Sequence, residues 1–362
     1  MNVGLVIYGD LNTVSGGYLY DRQLVEHLRR CGDTVEIFSQ QPRGYCASLL
    51  DNFSSDLVDA VLDTDLDVLL QDELNHASLI TANRTLKQKT ELPIVSIVHH
   101  LRCSEDHPRW QNAASRVLER RYLRSVDAFI FNGETTRSVV EDVAGVSEPS
   151  VIAVPAGNRF DGDISDDELQ QRVTRTEGPR HIVFLGSVIR RKGLHDVLAA
   201  LSSFNAEQWV LSVIGRMDVD ESYTGEIKQQ IRNARLEDQV TLYGPLPDRE
   251  IIRLLRSGDV LAMPSAYEGY GIAYLEGMAF GLPAIATTSG AAHEIITHEQ
   301  NGWLIAPGDV GALRKILRTI PDDTDSLLTM SHAARQRFLA HPGWHESMGR
   351  IRTFLTELTG AA

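Results

Sequence analysis

Cysteine is scarce in this chain, and the three that occur, Cys31, Cys46 and Cys103, are far apart with no CxxC spacing. An odd, scattered set supplies neither a disulfide framework nor a zinc site, and it suits a reducing compartment. Long apolar runs are missing too: none approaches the ~20 residues that cross a bilayer. Positive charge is in deficit, 35 Lys and Arg against 49 Asp and Glu, for a net charge of −14. That argues against nucleic acid as a partner over the whole surface. The opening MNVGLVIYGD is apolar at once, with no basic leader and no cleavage signature. A first strand and a cytoplasmic location are therefore expected.

Standard catalytic motifs are also lacking. The first apolar run is followed by DLNTVSGGY, glycine-rich but not GxGxxG, and neither GxxxxGKS/T nor GxSxG occurs. HEIITH (293–298) is one residue too long for HExxH; on a helix His293 and His298 would point about 140° apart. His99 and His100 end an apolar run, where neighbouring side chains face opposite ways, so only one can line a given site. Asp65-Leu66-Asp67 and Asp218-Val219-Asp220 read as chance DxD matches in an acidic chain. No metal site is expected.

What is present is a repeating grammar. Short apolar runs, VGLVIYG (3–9), TVEIFS (34–39), DVLLQDE (67–73), PIVSIVHH (93–100), DAFIFNG (127–133) and SVIAVPAG (150–157), are separated by longer segments, several of them amphipathic. The pattern then restarts with HIVFLG (181–186), WVLSVIG (209–215), QVTLYG (239–244), DVLAMPS (259–265) and PAIATTSG (283–290). Near-continuous apolar strands alternating with helices mean parallel sheets covered on both faces. A chain of 362 residues is also too long for one ordinary core. The expected class is α/β, with two Rossmann-like domains facing each other across a cleft, residues 1–160 and 161–343. A closing helix over 344–362 is expected to return to the first domain. The polar stretch 158–180 reads as the linker.

One segment, SAYEGYGIAYLEG (265–277), concentrates candidate chemistry. A helix starting near Ile272 has unpaired amides and a positive dipole end, and the glycines before it admit a ligand to the backbone. That is an anion site suited to phosphate. Glu276, one turn inside, would repel phosphate but could accept hydrogen bonds from paired hydroxyls such as those of a ribose. Glu268, in the loop, is placed for a second set of hydroxyls. The missing positive charge comes from GSVIRRKG (186–193), with Arg190, Arg191 and Lys192 at the end of another strand. The pattern suits a nucleotide sugar.

These residues resemble a known family. YEGYGIAYLEGMAFGLPAIAT resembles the E-x7-E element of the family-four retaining glycosyltransferases, which have the GT-B fold, and FLGSVIRRKG resembles their phosphate loop. VSGGY, IVHH and NGWLIAPGD resemble further segments of that family. The resemblance implies an acceptor-side first domain and a nucleotide-sugar-binding second domain. It implies that Glu276 binds the donor ribose, and that Glu268 with Gly269, Tyr270, Gly271 and Ile272 holds the sugar and distal phosphate. Arg191 and Lys192 would neutralise the diphosphate, Gly16 and Gly17 would close over it, and His99 would sit near the sugar. Many members have an arginine where Ser187 stands; either Arg190 or Arg191 replaces it. The implied activity is retaining transfer of a hexose from a nucleoside-diphosphate sugar to a hydroxyl acceptor, with no cofactor and no metal. The alternatives are a non-catalytic GT-B partner or nucleotide-sugar sensor, and a nucleotide-sugar epimerase.

The segment 109–125 stands apart. Arg116, Arg120 and Arg124 fall at helical i, i+4 and i+8, with Arg109 one heptad earlier, and Trp110, Ala114, Val117 and Leu118 read as the inward stripe. Between Arg102 and Arg124 six arginines meet three acids, Glu105, Asp106 and Glu119, a local surplus of 6 − 3 = +3. This patch is a candidate for an anionic or lipid-linked acceptor, or for peripheral contact with an anionic membrane.

Overall fold

The computed structural model describes residues 1–360 apart from 14, 106, 146, 161–163, 206 and 322, and apart from the side chain of Cys46. It divides into two compact units, Met1–Pro155 with Pro342–Ala362, and Ala156–His341. Each unit is built on a six-stranded sheet in which every strand pairing is parallel.

In the first unit the strands are β1 (Asn2–Tyr8), β2 (Thr34–Gln40), β3 (Val68–Asp72), β4 (Ile94–Val98), β5 (Ala128–Phe131) and β6 (Ser150–Ile152). Their order is β2-β1-β3-β4-β5-β6. The central strands β3, β4 and β5 are buried along their whole length, Gln71, Asp72 and Ser96 included, as strands covered by helices on both faces are. The order reverses between β1 and β3, which makes the ends of those strands the natural binding crevice. The last helix, Trp344–Thr359, belongs to this unit. Its Trp344 ring meets the edge of Tyr20 at 5.9 Å, and Arg352 Nε donates to Asp33 at 2.7 Å.

The second unit contains β7 (Arg180–Leu185), β8 (Trp209–Ile214), β9 (Val240–Gly244), β10 (Val260–Ala262), β11 (Ala284–Thr287) and β12 (Gly302–Ile305), in the order β12-β11-β10-β7-β8-β9. This is the Rossmann order, and its reversal lies between β7 and β10. The two strands that precede GSVIRRKG and SAYEGYG are therefore neighbours.

The polar stretch expected as a linker is not one. Ser165 and Glu168 form a capping box that starts a helix at Asp166–Val173, so the acidic run is a helix N-terminus. Leu169 and Val173 are fully buried. Arg172 donates to the carbonyls of Phe280 and Gly281, and Arg175 forks onto Asp259, the residue before β10. Residues 156–160 also pack within the second unit: a Cβ at Gly157 would lie 2.4 Å from Leu275 Cβ.

Candidate active site

The sequence-derived residues divide between the two units. In the second, Arg191 and Lys192 lie in a 3-10 turn directly after β7, and Glu268 lies in the loop after β10. Lys192 Nζ donates to Glu268 Oε2 at 2.6 Å, and Arg191 Nη1 stands 4.0 Å from the same oxygen while donating to the Tyr267 carbonyl at 2.6 Å. Burial lowers the Lys192 pKa, disfavouring its charge, although the Glu268 carboxylate opposes this. Burial also pushes Glu268 up, but Lys192 and Arg191 more than offset it and hold the carboxyl below its usual value. The result is a partly desolvated cluster of two cations and one anion, poised to take additional negative charge.

Backbone contacts fix the two loops together. Ala266 N donates to the Arg191 carbonyl at 2.7 Å, Ser265 Oγ donates to Glu268, and Thr287 Oγ1 donates to the Ser265 carbonyl. Gly193 closes the turn at φ +73, and a Cβ there would lie 2.2 Å from the Pro264 carbonyl oxygen. Gly193→Ala is therefore expected to destabilise the second unit by about 2 kcal/mol, from the left-handed conformation and the backbone clash together. Denaturant unfolding monitored by circular dichroism reads the loss.

The next helix begins at Ile272 with Gly271 as its cap, so the amides of the glycine loop stand where the sequence predicted them. Glu276 lies one turn in, 5 % exposed. Burial raises its pKa from the usual 4.5 to about 7, against the pull of Arg159, whose Nη1 is 4.0 Å away. Arg159 also donates to Asp248. Tyr270 turns its ring into the unit, buried against His341 at 6.0 Å, and leaves only its backbone for a ligand. Arg190 is not brought to Glu268: its guanidinium lies 5.0 Å over the Tyr223 ring and pairs with Glu226 on the helix Glu221–Ala234. Among the three cations, Arg191 and Lys192 are those gathered on the carboxylate.

In the first unit Gly16 and Gly17 open the helix Gly16–Arg30 behind the N-cap Ser15. Gly17 approaches His99 so closely that a Cβ there would lie 3.2 Å from the imidazole Cδ2. His99 Nε2 is 3.4 Å from Asp21 Oδ1, and Asn132 Nδ2 donates to its carbonyl at 2.7 Å. Burial works against charge on this imidazole, but Asp21, Asp72 and Glu73 prevail and raise its pKa to about 9. His100, its neighbour, pairs instead with Glu105 at 2.8 Å. Asp21, Asp72 and Glu73 are buried here, and none was singled out from sequence.

The arginine helix, Arg109–Leu123, corrects the expected stripe. Trp110 is 71 % and Val117 52 % exposed, whereas Ser115, Glu119, Tyr122 and Leu123 are buried. Glu119 faces inward because its carboxylate accepts the amides of Arg102 and Cys103. Arg116 pairs with Asp142 at 2.8 Å and Arg124 Nε donates to the Ala144 carbonyl at 2.8 Å, with the Arg120 guanidinium nearby. These three thus serve the C-terminal end of the helix Glu134–Ala144, where cations are favoured. Arg109 stays exposed, and Asp106 lies outside the described residues.

Parallel sheets of this order, with cations and carboxylates gathered near the switch-point strand ends, define a doubly wound α/β protein. The same fold runs through sucrose-phosphate synthase from Thermosynechococcus elongatus, at a TM-score of 0.83 and 20% identity over 100% of both chains. Anabaena HepE, solved in complex with UDP and glucose, matches at 0.75 and 20% identity over 98% of this chain and 99% of its own. The fold is GT-B. Residues 165–337 match the family of glycosyl transferases group 1. Glycogen synthase from Mycobacterium tuberculosis is 26% identical over 265 residues, 72% of this chain and 62% of that protein's length. The chain thus spans less than two thirds of that relative. Among the described residues, no helix is long and apolar enough to cross a membrane.

Proposed function

We propose that the protein transfers a hexose from a nucleoside-diphosphate sugar to a hydroxyl acceptor with retention of configuration. The observation that carries this reading is the convergence of Arg191 and Lys192 on Glu268, beside the amide-rich start of the helix that holds Glu276. The UDP and glucose of the HepE complex support it by analogy of fold.

In this mechanism the diphosphate lies against Arg191, Lys192 and the amides of residues 269–272, while the ribose hydroxyls donate to Glu276. Glu268 holds hydroxyls of the sugar. As the anomeric carbon–oxygen bond breaks, charge grows on the leaving phosphate, and Lys192 and Arg191 meet it in place of a metal ion. The acceptor oxygen attacks from the same face, and its proton passes to the departing phosphate oxygen. The acceptor class includes glycans, small molecules and lipid-linked sugars; for the last, exposed Arg109 and Trp110 offer a peripheral contact with an anionic surface.

The test is Glu276→Ala. Donor affinity should fall at least about tenfold with the protein still folded, because two charge-assisted hydrogen bonds are lost. An unchanged transfer rate at low donor concentration contradicts the assignment. A pH dependence follows from the same residue. Ribose hydroxyls donate to the carboxylate form, which burial disfavours until pH rises through about 7. Donor KM should therefore be flat above that pH and rise about tenfold per unit below it, until donor binding itself holds Glu276 ionised no longer. Steady-state kinetics from pH 5.5 to about 8.5 checks the slope.

A further inference from the structure

The reversal in the first sheet, between β1 and β3, carries a second constellation. Asp21 comes from the helix Gly16–Arg30, Asp72 ends β3, and His99 follows β4 directly. One ligand atom from each lies within 4.8 Å of the other two, and all three residues are buried. Neither oxygen of Asp21 has a hydrogen-bond partner, and the same holds for Asp72 Oδ2 and His99 Nε2. Asp21 is fully buried, so water does not satisfy it from the surface. The other Asp72 oxygen accepts the Leu74 amide at 3.0 Å. Among the described residues no Lys or Arg ion-pairs with either aspartate.

Such a group of atoms is costly. A buried carboxylate without donors is among the least favourable arrangements in a protein, and here two point their unsatisfied oxygens toward one imidazole nitrogen. His99 Nε2 and Asp21 Oδ1 stand 3.4 Å apart, an ion-pair distance without hydrogen-bond geometry. The neighbouring group Glu73, His76 and Glu119 differs in this respect. There both imidazole nitrogens are engaged, with Tyr45 and with the Glu73 carbonyl, and both Glu119 oxygens accept amides. In that second group one oxygen, Glu73 Oε2, lacks a partner, whereas in the first both Asp21 oxygens, Asp72 Oδ2 and His99 Nε2 do.

We propose that Asp21, Asp72 and His99 bind one divalent transition-metal ion, zinc or manganese in character, through a carboxylate oxygen of each aspartate and Nε2 of the histidine. Two oxygens and one imidazole nitrogen suit such an ion better than the all-oxygen shell of calcium. The 3.4 Å between Asp21 Oδ1 and His99 Nε2 is the edge expected between two ligands that each stand about 2.1 Å from a tetrahedral centre. The imidazole is fixed in orientation by its neighbours, since the Tyr20 ring meets it edge-on at 5.2 Å and Asn132 anchors its backbone. Three protein ligands leave a coordination position for water or for a substrate hydroxyl. The site is built within the first unit and does not depend on the transfer reading.

Calorimetric titration of the full chain, stripped with a chelator and then given Zn²⁺, Mn²⁺ or Ca²⁺ separately, tests the proposal. The expected result is one saturable equivalent of Zn²⁺ or Mn²⁺, little affinity for Ca²⁺, and a Tm rise of about 5 °C at saturation. Asp21→Asn and Asp72→Asn should each weaken binding at least about tenfold, while Glu276→Ala leaves it unchanged. His99→Gln, which removes the imidazole but keeps a side chain of similar reach, serves where an Asn variant does not fold. Visible absorption of the Co²⁺-loaded wild type gives a readout independent of the variants, since a low-symmetry site intensifies the ligand-field bands. No saturable binding by Zn²⁺ or Mn²⁺, or binding that survives every one of these substitutions, overturns it.

Discussion

Lys192→Ala is expected to lower kcat by about 10²–10³-fold while changing donor KM much less. The reason is the timing of the charge. In the resting protein Lys192 Nζ is committed to Glu268 at 2.6 Å, in a place where its side chain is 15 % exposed. A diphosphate that gains negative charge as the sugar departs draws that ammonium toward itself, so the interaction strengthens in the transition state more than in the ground state. Arg191, already bonded to the Tyr267 carbonyl, remains to bind the ground-state phosphates. Lys192→Arg should not restore the rate, because a planar guanidinium does not replace a compact ammonium in this packed position. Steady-state kinetics with a circular-dichroism check of folding measures the effect; a kcat within about threefold of wild type contradicts it.

Asp259→Ala should cost about 3–5 kcal/mol of stability in the second unit. This fully buried carboxylate accepts from Arg175 at 2.7 Å, from Arg180 at 3.4 Å and from the His181 amide at 2.7 Å. It therefore joins the start of β10 to the start of β7 and to the segment after the helix Asp166–Val173. Removing it leaves two guanidiniums without their counter-charge, Arg180 being almost wholly buried. At roughly 2–4 °C per kcal/mol for a unit of this size, the thermal transition should fall by about 10 °C. Because β7 and β10 end in the two site loops, the variant should also lose donor binding before it unfolds globally. A shift of less than about 2 °C would show that the network is not a structural tie.

How much of this the sequence revealed depends on the distance over which each feature is built. Glu268, the glycine loop and Glu276 lie within nine residues, and their spacing alone fixes a loop followed by a helix. Arg191 and Lys192 lie in the turn that follows β7, and strand ends are readable from apolar runs. Arg190 was not separable from them in sequence, because its orientation is decided by Tyr223 and Glu226 on a helix more than thirty residues away. Charge misled in two places. The polar stretch 158–180 read as a linker, yet Arg172 and Arg180 are buried on backbone carbonyls and Arg175, partly exposed, forks onto Asp259. In the helix Arg109–Leu123 the inward position went to Glu119, whose carboxylate is satisfied by amides, while Trp110 stayed outside. Asp21, Asp72 and His99 come from three separate elements, and no local spacing announces such a set.

Thermal unfolding of the pure protein against UDP, GDP, ADP and CMP, without added metal, tests the nucleotide-sugar reading most directly. One diphosphate should raise the transition by a few degrees, since a ligand at about 100 times its Kd stabilises the fold by about 2.7 kcal/mol. The same ligand should lose most of that effect in Glu276→Ala. A transition that no nucleotide moves would contradict donor binding at this site and favour a GT-B protein that has kept the fold without the reaction.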